Sequence, residues 1–331
     1  MSAPRAKATK DLRVPVTLLA GFLGSGKTTL LNRILDGKHG QKCAVIVNEF
    51  GDVPIDGQLV VGAKDELVEL ANGCVCCTVR GDLLDTLAWL VRGRKKRLDR
   101  IVIEASGLAS PGPAAATMHM PDLIADLRLD GIVTLAHGAG VADQIMKHPE
   151  AGEQLAFADL IVLNHCDRCD ASELARAEAA IRACNEAAPL VRTERAAVDI
   201  DSLFGLGEEG KELRLATFPS GEIPHAEHTQ GMLSLTLESH DLLRMEELKY
   251  WVGFLGERRD QELMRAKGVL RCVGKQSPVV VQVVGRWLEM GEDKRLPMPS
   301  VSRLQLIGRN LDRGELERGW VACLEQGGAS P

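Results

Sequence analysis

A glycine-rich stretch near the start of the chain constrains the fold most. It reads Gly21-Phe22-Leu23-Gly24-Ser25-Gly26-Lys27-Thr28 and matches the pattern G-x-x-x-x-G-K-[ST]. A short apolar, β-branched segment (residues 14–20) precedes it and helical spacing follows it, which is the context that this pattern requires. In that context the glycines let backbone N–H groups turn toward a phosphate, and the helix N-terminus adds partial positive charge. We therefore predict a phosphate-binding loop.

The residues of this loop have distinct expected roles. Lys27 can reach the outer phosphates of a nucleoside triphosphate, and the hydroxyl of Thr28 can ligate Mg²⁺. The predicted nucleotide-binding residues of the loop are Gly21, Gly24, Ser25, Gly26, Lys27, Thr28 and Thr29.

Unbroken apolar segments alternate with helical spacing after the loop. The predicted strands lie within residues 43–50, 100–107, 130–138 and 159–167. Apolar strands that alternate with helices are typical of a parallel sheet covered on both faces. We predict an α/β fold, a P-loop nucleotide triphosphatase domain with a mainly parallel sheet and helices on both faces.

The composition changes after about residue 204. Gly, Glu, Pro and His become frequent in residues 208–231, which indicates a linker. Beyond it, alternating strands and an amphipathic helix predict a smaller α+β domain. The predicted organisation is a disordered tail (1–13), the P-loop domain (14–207), the linker (208–231) and the C-terminal domain (232–331).

Charge and composition exclude several classes of partner. The net charge of −6 argues against a nucleic-acid partner. The first 13 residues lack the apolar run of a secretory signal, and no stretch approaches the roughly 18 apolar residues of a membrane span. The nine cysteines are odd in number and widely spread, unlike a disulfide framework. We expect a cytoplasmic protein with no membrane partner.

A carboxylate follows the strand predicted near residue 100. Glu104 precedes Ala105-Ser106-Gly107, and an acid at such a strand end can hold Mg²⁺ or orient an attacking water. The backbone N–H of Gly107 can bind the γ-phosphate. We predict that Lys27, Glu104 and Gly107 take part in catalysis; the alternative for Glu104 is a capping acid.

Two side chains after a later strand bear on which base is bound. In "VLNHCD", the Asp167 carboxylate can accept two N–H bonds from guanine, a pair that adenine cannot supply, and Asn164 can bond the base edge. GTPases usually carry N/T-K-x-D here, whereas this chain has His165, whose ring could replace the lysine stem by stacking. Guanine is the predicted base, and a turn rich in Asx residues is the alternative.

Three thiols lie within four residues, at Cys74, Cys76 and Cys77. Thiolates prefer soft or borderline ions such as Zn²⁺, and three protein ligands leave a fourth position open for transfer. By spacing alone, a redox switch or buried apolar cysteines are alternatives.

The chain resembles the CobW-type GTPases, a family of metal chaperones and nitrile hydratase activators. The matching stretches are "GFLGSGKTTLLN", "AVIVNEFGDVPIDGQL", "GCVCCTVRGDL", "IVIEASGLASP", "FADLIVLNHCD" and "LIGRNLDR". The resemblance implies GTP hydrolysis with Mg²⁺, a C-terminal domain of the CobW type, and a C-x-C-C site for Zn²⁺ or Co²⁺. It also implies that this site responds to GTP and that the metal passes to a client protein.

By the same resemblance, residues 48–57 form the first nucleotide-dependent segment, switch I, and Glu104 with Gly107 belongs to the second, switch II. Glu49, Asp52 and Asp56 are acids that could hold Mg²⁺ or a second metal, or could be ordinary solvated loop acids.

The chain also departs from the family pattern. Many relatives carry a His-rich run before the C-terminal domain, where this chain has only His225 and His228. His137 stands where relatives often have Asp. No arginine finger is apparent in cis, so we expect slow intrinsic turnover and an arginine supplied by the client or by a second copy in a homodimer.

Three rival functions stay open at this point. One is a nucleotide-binding metal or thiol-redox sensor with little turnover, and another is an ATP-using P-loop enzyme, which the pair Asn164 and Asp167 disfavours. The third is a GTPase that inserts nickel, which the placement of the C-x-C-C motif fits less well.

Overall fold

The computed structural model describes residues 11–37, 40–47, 57–61, 68–70, 79–93, 98–206, 231–258 and 261–325. Within these ranges the strands form two separate sheets, one of eight strands and one of five. None of the helices in the described part of the chain has both the length and the apolar character needed to cross a membrane.

The eight-stranded sheet belongs to the N-terminal part of the chain. In spatial order its strands are β4 (Val68–Leu70), β3 (Gly57–Val61), β2 (Cys43–Val47), β5 (Arg100–Glu104), β1 (Val14–Gly21), β6 (Leu127–His137), β7 (Leu160–Asn164) and β8 (Leu190–Arg192). Neighbours from β2 to β8 run parallel, and β3 and β4 add an antiparallel edge. The predicted fold class is confirmed.

Helices cover both faces of this sheet. They are α1 (Lys27–Asp36), α2 (Val79–Ala88), α3 (Pro111–Thr117), α4 (Val141–Lys147), α5 (Pro149–Ala156), α6 (Ala171–Cys184) and α7 (Ile200–Leu203). Because side chains alternate along a strand, Leu18 and Ile103 pack with α2 and α3, while Leu19 and Val102 pack with α1 on the opposite face. The central strands are therefore buried on both sides, as their unbroken apolar sequence predicts.

The five-stranded sheet is antiparallel throughout. Its spatial order is β12 (Trp287–Glu292), β11 (Val279–Val284), β10 (Glu262–Leu270), β13 (Ser302–Arg309) and β9 (Met232–Ser239). Helices α8 (Met245–Glu257) and α9 (Arg313–Cys323) bury Leu248, Val252, Leu316 and Trp320 against this sheet. The structure thus contains the smaller α+β unit that the sequence predicts.

The start of one predicted strand differs from the structure, because β6 begins at Leu127, three residues before the strand predicted within residues 130–138. Helix α2 continues beyond Ala88 into a π-helical turn, Trp89–Gly93. The predicted linker lies almost wholly outside the described residues, so the domain boundaries stay predictions.

A buried ion pair joins the two sheets. Asp159, just before β7, accepts a hydrogen bond from Arg265 on β10 at 2.6 Å and also pairs with Lys267. Its other oxygen accepts the backbone N–H of Ile132 at 2.9 Å. Burial alone would raise the pKa of Asp159, but the charges of Arg265 and Lys267 outweigh it and lower the pKa to about 2.

Replacing Asp159 tests this junction. Asp159→Asn leaves the Arg265 charge buried with no compensating carboxylate, so we expect the free energy of unfolding to fall by about 3 kcal/mol in denaturant titration. The matched control, Glu317→Gln, removes a carboxylate from the exposed pair with Arg313 and should change it by less than about 0.5 kcal/mol. Equal effects of the two substitutions would contradict this description.

A ring stack lies at the same junction. The imidazole of His119, after α3, lies on the Trp287 indole with ring centroids 3.2 Å apart and planes 8° apart. Burial, with the nearby charges of Arg265 and Arg13, lowers the pKa of His119 from 6.5 to about 4.

The lowered pKa of His119 has a direct consequence for stability. An unfolded chain protonates this ring near pH 6.5 while the folded chain resists, so its contribution is complete above pH 6.5 and is lost as pH falls toward 4. We expect His119→Phe, which keeps an aromatic stack and cannot titrate, to lose less thermal stability than the wild type between pH 7 and 4.5. If the melting temperatures of the two proteins fall equally with pH across this range, the assignment is wrong.

Candidate nucleotide site

The glycine-rich loop lies where β1 ends, at the carboxyl edge of the parallel sheet. Gly21 and Gly26 have φ angles of +138° and +105°. A Cβ at Gly21 would lie 2.4 Å from the Leu135 carbonyl oxygen, and one at Gly26 would lie 2.3 Å from Nδ2 of Asn164. Both conformation and space therefore require glycine at these two positions.

The lysine of the loop is folded over its own backbone. The Lys27 ammonium donates to the carbonyl of Gly21 at 2.9 Å and lies 3.5 Å from that of Phe22. The side chain is buried, so its positive charge lies beside the loop backbone and is largely shielded from water. Nearby, the Ser25 hydroxyl is buried and has no hydrogen-bond partner among the described residues. An ammonium and a hydroxyl placed in this way suit an anionic ligand with several oxygens.

A hydrogen bond between a hydroxyl and a carboxylate links the loop to the end of β5. The Thr28 hydroxyl donates to Oε1 of Glu104 at 3.1 Å. Glu104 is the last residue of β5 and is buried, and the next residue, Ala105, donates its N–H to the Leu19 carbonyl at 2.8 Å. Hydroxyl and carboxylate oxygens are ligands that Mg²⁺ prefers, so these two residues fit that cofactor.

The segment after β5 packs directly on the loop. A Cβ at Gly107 would lie 2.4 Å from Cδ2 of Leu23, so this backbone approaches the loop closely. Gln154 on α5 holds the segment from behind, because its buried amide donates to the carbonyls of Gly107 and Ala109, each at 3.0 Å. Gln154 belongs to no recognisable motif, so the sequence alone does not identify this role.

Asn164 is fully buried, and its side-chain amide joins two loops. Its Nδ2 donates to the Ser25 carbonyl at 2.9 Å, and its Oδ1 accepts the Ala196 N–H at 2.8 Å. The amide therefore braces the glycine-rich loop against the segment after β8. The predicted hydrogen bond of Asn164 to a base edge stays a prediction beside this bracing role.

The segment that Asn164 contacts is unusual in its backbone. Arg195 and Ala196 are consecutive non-glycine residues with φ angles of +49° and +52°. Such conformations cost of order 1–3 kcal/mol each and cluster at ligand sites. Neither arginine nor alanine favours a left-handed conformation, so the sequence alone does not identify this segment.

The turn after Asn164 presents the predicted base-reading acid. His165, at φ +62°, begins a 3-10 turn spanning Cys166–Arg168. The Asp167 side chain is 35% exposed, and its Oδ2 lies 4.0 Å from Nε of Arg168. Two residues after this turn, Asp170 forms a capping box with Glu173 at the start of α6. Asp167 is thus held on a short, fixed turn and remains accessible to a ligand.

Several predicted site residues lie outside the described residues. They are Glu49, Asp52, Asp56, Cys74, Cys76, Cys77, His225 and His228. Within the described part of the chain, no group of three or more His, Cys, Asp or Glu side chains is placed to hold a metal ion. The six described cysteines are free thiols. The predicted metal site therefore stays a prediction.

The chain shows two matches to family descriptions. Residues 15–192 match the CobW/HypB/UreG nucleotide-binding domain, and residues 232–324 match the cobalamin synthesis protein CobW C-terminal domain. These matches coincide with the two sheets of the structure.

Similar proteins and structures agree with these matches. The chain is 34% identical to the zinc chaperone CobW of Pseudomonas aeruginosa, over 92% of this chain and 90% of that protein. It is 32% identical to the zinc chaperone YjiA of Escherichia coli, over 82% and 86% of the two chains. The crystal structure of Zn(II)-bound YjiA GTPase from E. coli superposes with a TM-score of 0.72 at 30% identity, covering 95% of this chain and 99% of that one. With its glycine-rich loop, parallel sheet and C-terminal sheet all in place, the chain belongs to the CobW family of P-loop nucleotide-binding proteins.

Proposed function

We propose that this protein is a GTPase that binds zinc and passes it to a client protein under control of the nucleotide. One observation carries the proposal. Three features meet at one edge of the sheet: Lys27, the pair Thr28 and Glu104, and the turn bearing Asp167. The relatives named as zinc chaperones and the Zn(II)-bound GTPase structure support the same conclusion.

The phosphates of GTP would bind along the glycine-rich loop. Its backbone N–H groups and the helix α1 N-terminus attract the phosphate oxygens, and Lys27 would leave the Gly21 carbonyl to neutralise charge on the outer phosphates. Mg²⁺, held at Thr28 with Glu104 nearby, would supply further positive charge to the transferring phosphoryl group.

The hydrolytic step would use the segment after β5. Glu104 is placed to orient the attacking water or to hold the cofactor, and the N–H of Gly107 can bind the γ-phosphate. Since Gln154 fixes the carbonyls of Gly107 and Ala109, the N–H groups of this segment are held in position before the reaction.

The guanine base would be read by Asp167. A carboxylate accepts hydrogen bonds from both N1–H and the exocyclic amine of guanine, whereas adenine presents no such donor pair. The Asp167 side chain is accessible on its short turn, which suits it to this task.

We propose that the cysteine segment senses the nucleotide. Cys74, Cys76 and Cys77 lie in the connection from β4 to α2. Helix α2 packs through Leu83 and Leu87 in one core with Ala115 of α3, which follows the segment carrying Glu104 and Gly107. Movement of that segment can therefore reach the connection through α3 and α2. We propose that GTP favours the metal-holding arrangement of the three thiolates and that hydrolysis releases the zinc cargo to the client.

The lysine of the loop tests the nucleotide part of the proposal. Lys27→Ala removes the charge that faces the outer phosphates, so we expect the GTP hydrolysis rate to fall by about 10²-fold or more. The control, Lys249→Ala, removes an exposed lysine on α8 and should leave the rate unchanged. GTP hydrolysis by Lys27→Ala at the wild-type rate would refute the assignment.

Zinc titration tests the metal part. We expect a chelating dye to report tighter zinc binding with a non-hydrolysable GTP analogue than with GDP, by a factor in the range of about 5–150 that is typical of coupled sites. Triple substitution of Cys74, Cys76 and Cys77 by Ser should remove this nucleotide-dependent site.

A matched control replaces thiols elsewhere in the chain. Cys272→Ala with Cys323→Ala removes two buried thiols of the C-terminal domain and should keep the nucleotide-dependent zinc site. If the triple variant binds zinc as the wild type does, the ligands lie elsewhere. If GTP and GDP give the same zinc affinity, the proposed control by nucleotide is wrong.

A further inference from the structure

Two histidines meet at the carboxyl ends of β6 and β7. His137 is the last residue of β6, and His165 directly follows β7. Their rings stack with centroids 4.6 Å apart and planes 30° apart. The backbone enforces this meeting, because His137 is in register with Asn164 across the two strands and the Gly138 N–H donates to the Asn164 carbonyl at 2.8 Å.

His165 occupies a position between the glycine-rich loop and Asp167. Its Nε2 atom lies 3.9 Å from the point where a Cβ on Gly26 would stand. Its backbone is in the left-handed region at φ +62°, an uncommon conformation for a residue with a side chain. The Cys169 thiol donates to the His165 carbonyl at 3.4 Å. The partly exposed ring is therefore fixed beside the turn that presents Asp167.

We propose that His137 is a positioning residue for nucleotide binding, which holds the His165 ring in the orientation that stacks on the purine base. This inference rests on the proposed binding of GTP and extends it to the side chains that hold the base. His137 covers one face of the His165 ring, and an aromatic ring supported in this way offers its other face to a flat ligand. Neither ring needs a charge for this contact.

The surroundings of His137 favour its neutral form. Burial lowers the pKa of His137, and the charges of His165 and Arg168 lower it further. Its Nδ1 atom is buried and makes no hydrogen bond in the part of the chain that the structure describes. A charged His137 would face a second imidazole and a guanidinium, and together with burial these outweigh the favourable contribution of its own backbone.

Other charged and titratable groups lie near the ring pair. On its own turn lie Asp167 and Arg168, which are 4.0 Å apart and partly offset each other. Burial, with the neighbouring acids led by Glu173, raises the pKa of the Cys169 thiol, which therefore stays uncharged at neutral pH. On the glycine-rich loop, Lys27 directs its ammonium to the Gly21 carbonyl. A proton gained by His137 at low pH therefore places a positive charge beside the His165 ring and Arg168, and the base contact should weaken as pH falls.

The experiment compares GTP with inorganic tripolyphosphate, a ligand that has phosphates and no base. Dissociation constants for both, with Mg²⁺, are measured from pH 8 to 5.5 for the wild type, His137→Ala and His137→Phe. We expect His137→Ala to weaken GTP binding about tenfold at pH 7.5, the size of an ordinary base–aromatic stack, and to leave tripolyphosphate binding unchanged.

The pH profile separates positioning from a merely structural role. For the wild type, the ratio of GTP affinity to tripolyphosphate affinity should fall as pH decreases. His137→Phe keeps a stacking ring that cannot be protonated, so it should restore GTP affinity at pH 7.5 and reduce the fall at low pH. The control, His240→Ala, removes an exposed histidine of the C-terminal domain and should keep the wild-type profile.

Three results would overturn the inference. GTP binding by His137→Ala with wild-type affinity and profile would show that the ring has no positioning role. Equal weakening of GTP and tripolyphosphate would show general damage to the site. If the wild type binds tripolyphosphate no less tightly than GTP, the inferred base contact is wrong, although the assignment of the phosphate-binding loop is kept. If the wild type binds neither ligand, the proposed function itself is wrong.

Discussion

The parallel hydrogen-bonded register of β5, β1, β6 and β7 is the constraint on which the rest of the site depends. It pairs Leu19 with Glu104, Gly21 with Leu135, and His137 with Asn164. Because carboxyl ends of parallel strands meet at one edge of a sheet, residues far apart in sequence are brought together there. A one-residue slip of any of these strands would turn its end residue to the other face and dismantle the site.

Two buried amides convert this arrangement of strand ends into fixed loops. Asn164 ties the glycine-rich loop to the segment around Ala196, and Gln154 holds the carbonyls of Gly107 and Ala109. A buried amide that loses its partners costs about 1–3 kcal/mol, so these contacts resist rearrangement. The helix that carries Gln154 also carries Glu153, which pairs with Arg309 of the C-terminal sheet at 3.0 Å. The same short helix therefore contacts both the nucleotide site and the second domain.

The parts of this fold that could be predicted are those with a local signal. The glycine-rich loop has a fixed spacing tied to one conformation, and the buried strands have unbroken apolar sequences. The β10 strand has no such signal, because Arg265 and Lys267 interrupt its apolar pattern; both pair with Asp159 of the other domain. The brace formed by Gln154 and the left-handed pair Arg195 and Ala196 depend on tertiary contacts that no local pattern encodes. The residues of the predicted zinc site lie outside the described ranges and remain an inference from motif and family.

We propose that the nucleotide site and the predicted zinc site affect each other through the sheet edge and the helices behind it. Coupling between two binding sites is reciprocal, so whatever GTP does to zinc affinity, zinc must do to GTP affinity by the same factor. The most direct measurement is therefore the dissociation constant of a non-hydrolysable GTP analogue, with Mg²⁺ present, in the absence and in the presence of saturating zinc. We expect the analogue to bind more tightly with zinc and GDP to show no such change. An affinity for the analogue that zinc leaves unchanged, or weakens, would contradict the proposed coupling.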